Sequence, residues 1–290
     1  MYLNLIRHGP KNNDPRAHQT GVEALLDPEK IHEIIAHAAG TLARIPQAYQ
    51  GTTRIRVETT PIDRAIATGD IEYGVLRLDP RFDVPFPAVN ELIGSSGIHP
   101  QTGKAVNLSP GWMSTIWAAA KKAEIYKHLQ GEHRPLYGWC ELGFDNSQAN
   151  NPQDPGISLR EIACRLGTYV YDTLEQSDPH DLVLAIGHSG DIEPFLYLTL
   201  EMMAGRDGTS SDALTRHFNT TRGALEPLTG VQFYQIGNDL CLRHFYGVPR
   251  SPESVTDVSI GTEIFQEQAR WFKEKGKSQT VLEQKLAGGK

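Results

Sequence analysis

Leu3-Asn4-Leu5-Ile6-Arg7-His8-Gly9-Pro10 is an apolar run that ends on an arginine and a histidine, followed at once by a Gly-Pro turn. The pattern predicts a short buried strand that stops at the turn. Polar groups at the carboxyl end of such a strand stand at the mouth of an α/β sheet, where these folds bind ligands. Arginine offers a fixed fork of donors suited to phosphate or carboxylate. Histidine is largely unprotonated near neutral pH and can act as a nucleophile. A strand end that is polar without further purpose would read the same way over three residues, so the rest of the chain decides.

Two later segments bear on it. Arg54-Ile55-Arg56-Val57-Glu58-Thr59 is a β-branched strand that runs into Thr60-Pro61, a helix start with proline well placed in the first turn. Arg64 then falls in the first helical turn, near that strand's carboxyl end. Asp181-Leu182-Val183-Leu184-Ala185-Ile186-Gly187-His188 is a second continuously apolar strand ending on a histidine, with a helical pattern from Ile192. Three strand ends can therefore offer Arg7 with His8, Arg64, and His188.

In that order, Arg7-His8-Gly9, Arg64-Ala65-x-x-Thr68 and Gly187-His188 resemble the histidine phosphatase superfamily, also called phosphoglycerate-mutase-like. The resemblance anchors roughly residues 1–200. It implies an α/β fold, a three-layer α/β/α sandwich with a mostly parallel central sheet. It implies one domain over 1–290, with 98–157 as an insertion or lid over the site and 250–290 as a C-terminal tail. It also implies roles: His8 as nucleophile, Arg7, Arg64 and His188 around the phosphate, and an amide from Asn12 or Asn13, with Asn13 preferred. The family's usual Glu-Ser after the glycine is missing here. Glu91, in Val89-Asn90-Glu91-Leu92-Ile93-Gly94, stands where one branch of the family carries its general acid, although the continuation after it differs. Asp191, three residues after His188, is the other candidate; the position directly after that histidine is Ser189.

Length and composition agree with an ordinary enzyme. The 290 residues carry 28 basic and 35 acidic side chains, a net charge of −7. That leaves no electrostatic footprint for nucleic acid or an anionic membrane, while a locally basic pocket remains compatible with an anionic substrate. Cys140, Cys164 and Cys241 are scattered, without a Cys-x-x-Cys pair, and read as reduced thiols of a cytoplasmic chain. No signal peptide is recognisable, and the first apolar run is too short to span a bilayer. No cofactor and no metal are expected: there is no His-x-x-x-His pair, aspartate ladder or Walker loop.

Between these motifs, residues 28–45 read as a helix with Ile31, Ile34, Ile35, Ala38 and Leu42 on its apolar face. His32 and His37, five apart, read as polar surface positions. A helix is expected over 61–77, then a proline-rich passage. Residues 98–157 match nothing; they hold Trp112, Trp117 and Trp139 among basic residues and read either as a lid or as a packed subdomain. Ser158-Leu159-Arg160-Glu161 is a capping box that opens a helix. A helix over 192–203 follows, and then a hairpin at the sheet edge from 231–236 and 240–246. One amphipathic helix, 262–275, is expected in the last thirty residues, which dock on the domain, serve a homodimer, or fray.

The chemistry these residues suit is metal-free phosphoryl transfer through a phosphohistidine, on a small phosphorylated metabolite. A mutase returning the phosphoryl group to substrate uses the same residues. A phospho-ligand binder without catalysis, and a serine α/β-hydrolase built on Gly187-His188-Ser189-Gly190, stand as further readings.

Overall fold

The computed structural model describes residues 1–11, 26–109, 156–188, 190–207, 225, 227–236, 239–245 and 257–288. The chain divides into two compact units: Met1–Ile93 with Asp172–His188 and Glu226–Gly261, and Gly94–Tyr171 with Ser189–Leu225 and Thr262–Lys290.

The first unit is built on a seven-stranded sheet. Its strands are β1 (Tyr2–Arg7), β2 (Arg54–Thr59), β3 (Ala88–Val89), β6 (Asp181–Gly187), β7 (Gly230–Ile236), β8 (Asp239–Phe245) and β9 (Asp257–Ile260). Their order is β3-β2-β6-β1-β7-β8-β9. The strands from β3 to β1 run parallel, and β7, β8 and β9 continue from β1 antiparallel. The sheet is thus mixed, with parallel central strands flanked by helices, as expected. Helices α1 (Ile31–Ala48) and α2 (Asp63–Leu76) pack on it. Ala38 and Ile45 of α1 and Ala65 and Leu76 of α2 join Ile6, Ile55, Val57, Leu182, Leu184 and Ile186 of the strands in one buried apolar cluster.

Residues 3–6 of β1 are buried, the one polar residue among them included. Asn4 is 2 % exposed; its Nδ2 donates to the Tyr49 hydroxyl at 3.1 Å and its Oδ1 accepts from Gln232 Nε2 at 3.0 Å. Both ends of the amide are satisfied, which removes the penalty of burying it in an apolar strand. Across the β1–β7 pairing, a β-carbon on Gly230 would lie 1.8 Å from the Leu5 carbonyl oxygen, so only glycine fits where the backbones approach.

Three expectations are corrected here. The inward face of α1 carries Ile34, His37, Ala38, Thr41 and Ile45, while Ile35 is 45 % exposed. His37 is therefore not a surface position: it is 3 % exposed, and its Nδ1 lies 2.5 Å from Oε1 of the equally buried Glu72 on α2. A histidine supplies a helix–helix partner that hydrophobic spacing cannot reveal. The 231–246 hairpin does form, but β9 pairs alongside β8 and takes the edge.

The second unit contains the short pair β4 (Ser96–Ile98) and β5 (Ala105–Asn107), most of helix α3 (Leu159–Gln176), α4 (Ile192–Asp207), α5 (Glu263–Lys275) and α6 (Ser278–Gly288). The third correction is that the last thirty residues form two helices, not one. The reason lies in the capping box. Ser158 Oγ accepts the Glu161 N–H at 3.1 Å, but the Glu161 carboxylate accepts from the Lys277 N–H at 2.7 Å and the Ser278 hydroxyl at 2.6 Å. The carboxylate caps the start of α6, where unpaired N–H groups and the helix dipole favour an anion. Among the described residues no helix is long and apolar enough to cross a membrane. Most of the 98–157 segment, residues 110–155, lies outside the described residues.

Candidate functional site

Parallel pairing decides which residues meet. β1 and β6 are in register with Arg7 opposite Gly187, so the next residue of each strand, His8 and His188, emerges at the same edge. Their ring centroids are 5.0 Å apart, tilted at 39°. The His8 N–H donates to the Gly187 carbonyl at 3.0 Å, continuing the ladder one step past the strands. On the other side of β6, Thr59 of β2 is opposite Ile186, and the chain turns into α2, whose second residue is Arg64. Arg64 Nη2 donates to His188 Nε2 at 2.8 Å. The structure thus brings Arg64, His188 and His8 together at the carboxyl edge of the parallel strands, and Arg7 closes β1 at that edge.

His8 is held in one chemical form. It is 1 % exposed, and its Nδ1 lies 2.6 Å from the Gly9 carbonyl oxygen. A carbonyl only accepts, so Nδ1 carries the proton. Its pKa is lowered to about 3, first by burial and then by the nearby His188, Arg64 and Arg7. The ring is accordingly neutral at physiological pH, and Nε2 is left with its lone pair. Nε2 is buried and has no hydrogen-bond partner among the described residues. An unprotonated ring nitrogen beside two guanidinium groups has the free lone pair that nucleophilic chemistry requires. A β-carbon on Gly9 would lie 2.6 Å from Ile34 Cδ1, so the glycine allows α1 to close on this loop.

His188 is held by a different contact. Its Nε2 accepts from Arg64, so no proton sits on that nitrogen.

The two acid candidates sit in different settings. Glu91 opens a 3₁₀ turn, Glu91–Ile93, directly after β3. Asn90 holds this turn in place: its N–H donates to the Thr59 carbonyl at 2.8 Å, its Nδ2 to Glu58 Oε2 at 3.3 Å, and its Oδ1 accepts the Leu92 N–H at 3.0 Å. Because β3 runs parallel to β2, Glu91 stands at the carboxyl edge that also carries His8 and His188. Asp191 belongs to the second unit and is 3 % exposed. Burial raises its pKa to about 7, against hydrogen bonds from Ser95 that pull it down. Its Oδ2 is buried with no hydrogen-bond partner among the described residues.

This carboxyl makes stability pH-dependent with a definite sign. In the unfolded chain it ionises near 3.8, while in the folded chain it keeps its proton to about 7. Between those values the native state binds more protons, so stability is lost as pH rises through that window. Asp191→Asn is expected to remove the dependence and to raise stability at pH 8 by on the order of a few kcal/mol. Urea unfolding of wild type and variant at pH 5 and pH 8 measures it; equal gains at both pH values would contradict the assignment.

Asn13, proposed to bind phosphate, lies outside the described residues. Sequence reasoning placed Thr68 in a motif but gave it no task. The structure shows its hydroxyl between the Gly9 N–H and the Arg64 carbonyl. The signal was its position four residues after Arg64, on the same helix face.

No family model matches the chain, and no curated protein does. Among solved structures, the Rv3214 open reading frame product of Mycobacterium tuberculosis is 14 % identical, with 83 % of this chain and 94 % of that chain covered and a TM-score of 0.44. A phosphoglycerate mutase of Plasmodium falciparum is 14 % identical, over 89 % of this chain and 97 % of that one, with a TM-score of 0.36. The apo form of Hafnia alvei phytase is 10 % identical, over 92 % and 95 %, with a TM-score of 0.46.

Proposed function

We propose that the chain is a phosphomonoester hydrolase that works through a phosphohistidine on a small phosphorylated metabolite. The observation that carries this reading is the state of His8: Nδ1 bonded to the Gly9 carbonyl, Nε2 unprotonated and without a hydrogen-bond partner among the described residues, and Arg64 bonded to the adjacent His188. Nε2 attacks phosphorus and the bond to the leaving oxygen breaks. Glu91 gives its proton to that oxygen, releasing an alcohol. Glu91, now a carboxylate, takes a proton from water as the water attacks the phosphohistidine, which releases phosphate and restores the free Nε2. The transferring phosphoryl group needs little covalent help and much charge compensation. Arg7 and Arg64 supply it, and His188 joins them by taking up a proton with the incoming dianion. All of these side chains come from the chain itself, and no cofactor is called for.

Turnover of p-nitrophenyl phosphate, with and without 2,3-bisphosphoglycerate, tests the reading. Release of inorganic phosphate without the bisphosphate supports a hydrolase. Activity only in its presence points to phosphoryl return to substrate, and no activity in either case refutes both.

The arginines make a separate forecast. Vanadate or phosphate is expected to inhibit competitively, and Arg7→Ala or Arg64→Ala to weaken that inhibition by about tenfold or more each, the loss of a charge-assisted contact of roughly 1.5–3 kcal/mol. Inhibition constants measured on both variants decide it, and unchanged values in both would remove the arginines from the phosphate site.

A further inference from the structure

Thr68 lies one helical turn after Arg64 in α2 and is 1 % exposed. Its hydroxyl donates to the Arg64 carbonyl at 2.7 Å and accepts the Gly9 N–H at 3.0 Å. A hydroxyl has one proton and two lone pairs, so both bonds form together. The bond to Arg64 is the usual back-bond of threonine within a helix. Its consequence here is directional: it turns the hydroxyl proton away from Gly9 and leaves a lone pair facing the Gly9 N–H. Gly9 is then held from both sides, its N–H on Thr68 and its carbonyl on His8 Nδ1 at 2.6 Å.

We infer that Thr68 is a positioning residue: its hydroxyl fixes Gly9 so that the Gly9 carbonyl accepts a hydrogen bond from His8 Nδ1–H, which leaves Nε2 as the unprotonated nitrogen. The catalytic consequence rests on the phosphatase reading; the tautomer itself rests only on the hydrogen bonds. The same hydroxyl ties the nucleophile's loop to the helical turn that carries Arg64, so the attacking nitrogen and a phosphate-binding guanidinium share one anchor. Valine would keep the side chain's shape while leaving the buried Gly9 N–H without an acceptor. The Gly9 peptide then turns, and the imidazole can hold its proton on either nitrogen. A ring protonated on Nε2 has no lone pair there with which to attack phosphorus.

The test compares wild type with Thr68→Val, Thr68→Ala and Thr68→Ser, all checked for native circular dichroism. Nitrogen-15 NMR of the ligand-free protein at pH 8 reads the His8 tautomer, and p-nitrophenyl phosphate turnover is measured alongside. Wild-type His8 is expected to be protonated on Nδ1. Thr68→Val and Thr68→Ala are expected to gain the Nε2-protonated form and to lose on the order of 10-fold to 100-fold in kcat, with KM within about twofold. Thr68→Ser, which keeps the hydroxyl, is expected to retain the wild-type tautomer and most of the turnover. Wild-type His8 protonated on Nε2 overturns the proposal, and this measurement needs no variant. So does a wild-type tautomer in both Thr68→Val and Thr68→Ala, or a Thr68→Ser that behaves like valine. Absent turnover in the wild type counts against the phosphatase reading alone, because the tautomer comparison still decides for or against Thr68.

Discussion

His8→Ala is expected to lower p-nitrophenyl phosphate turnover by on the order of 10⁴-fold or more, the scale seen when a covalent nucleophile is removed. Rapid acid-free quenching of the wild type with a radiolabelled phosphate ester should trap an acid-labile label on the protein, and the variant should carry none. The fold is expected to survive, since the sheet is held by strand pairing and the apolar cluster rather than by this ring. Acid unfolding supplies a second readout with its own sign. Free histidine takes a proton near 6.5, whereas folded His8 resists protonation down to about 3. Between those values the unfolded state binds more protons, so His8 contributes a loss of stability as pH falls. The variant should therefore show a shallower fall in stability between pH 6.5 and pH 4, whatever its stability at neutral pH. Label retained on His8→Ala would place the nucleophile elsewhere; an unchanged acid slope would mean that the ring is not held neutral.

The second large effect separates the two carboxyls. A departing alkoxide needs a proton and a departing nitrophenolate hardly does. With Glu91 as the acid, Glu91→Gln is expected to slow hydrolysis of an alkyl phosphate by ~10²–10⁴-fold and that of p-nitrophenyl phosphate far less. The alkaline limb of the pH–rate profile for the alkyl substrate should flatten in the same variant, because that limb reports loss of the acid's proton. Phosphohistidine should still form from the activated ester, and its breakdown should slow, since the same carboxylate activates water. Asp191 makes the opposite forecast. Its proton is kept to about 7, which suits an acid; if it does this work, Asp191→Asn shows the leaving-group dependence and Glu91→Gln does not. Equal sensitivity to both leaving groups in both variants would exclude each of them.

Much of this arrangement was legible along the chain because each part is a local rule. Apolar runs ending in Arg7-His8 and Gly187-His188 mark buried strands with chemistry at their carboxyl ends, and Pro61 marks the start of the helix that carries Arg64. Parallel strands all point their carboxyl ends the same way, so reading three such ends in sequence amounts to reading one edge of a sheet. Helix existence followed from spacing and caps, and the hairpin from its turn residues.

What only the tertiary structure decided concerns partners far apart in the chain. His37 reads as a surface residue until Glu72 is packed against it, because one helix's periodicity says nothing of what the next helix presents. Glu161 reads as half of a local capping box until the Lys277 and Ser278 backbone and hydroxyl groups arrive to claim its carboxylate. The β9 strand needs β8 beside it to satisfy its backbone, and four residues carry too little pattern to announce that. The protonation states belong here as well. The sequence by itself determined which residue types stand at the strand ends. That His8 is neutral with its proton on Nδ1, and that Asp191 keeps its proton to about 7, depend on burial and on neighbours brought close by folding, since a pKa is set by desolvation and nearby charge rather than by residue type.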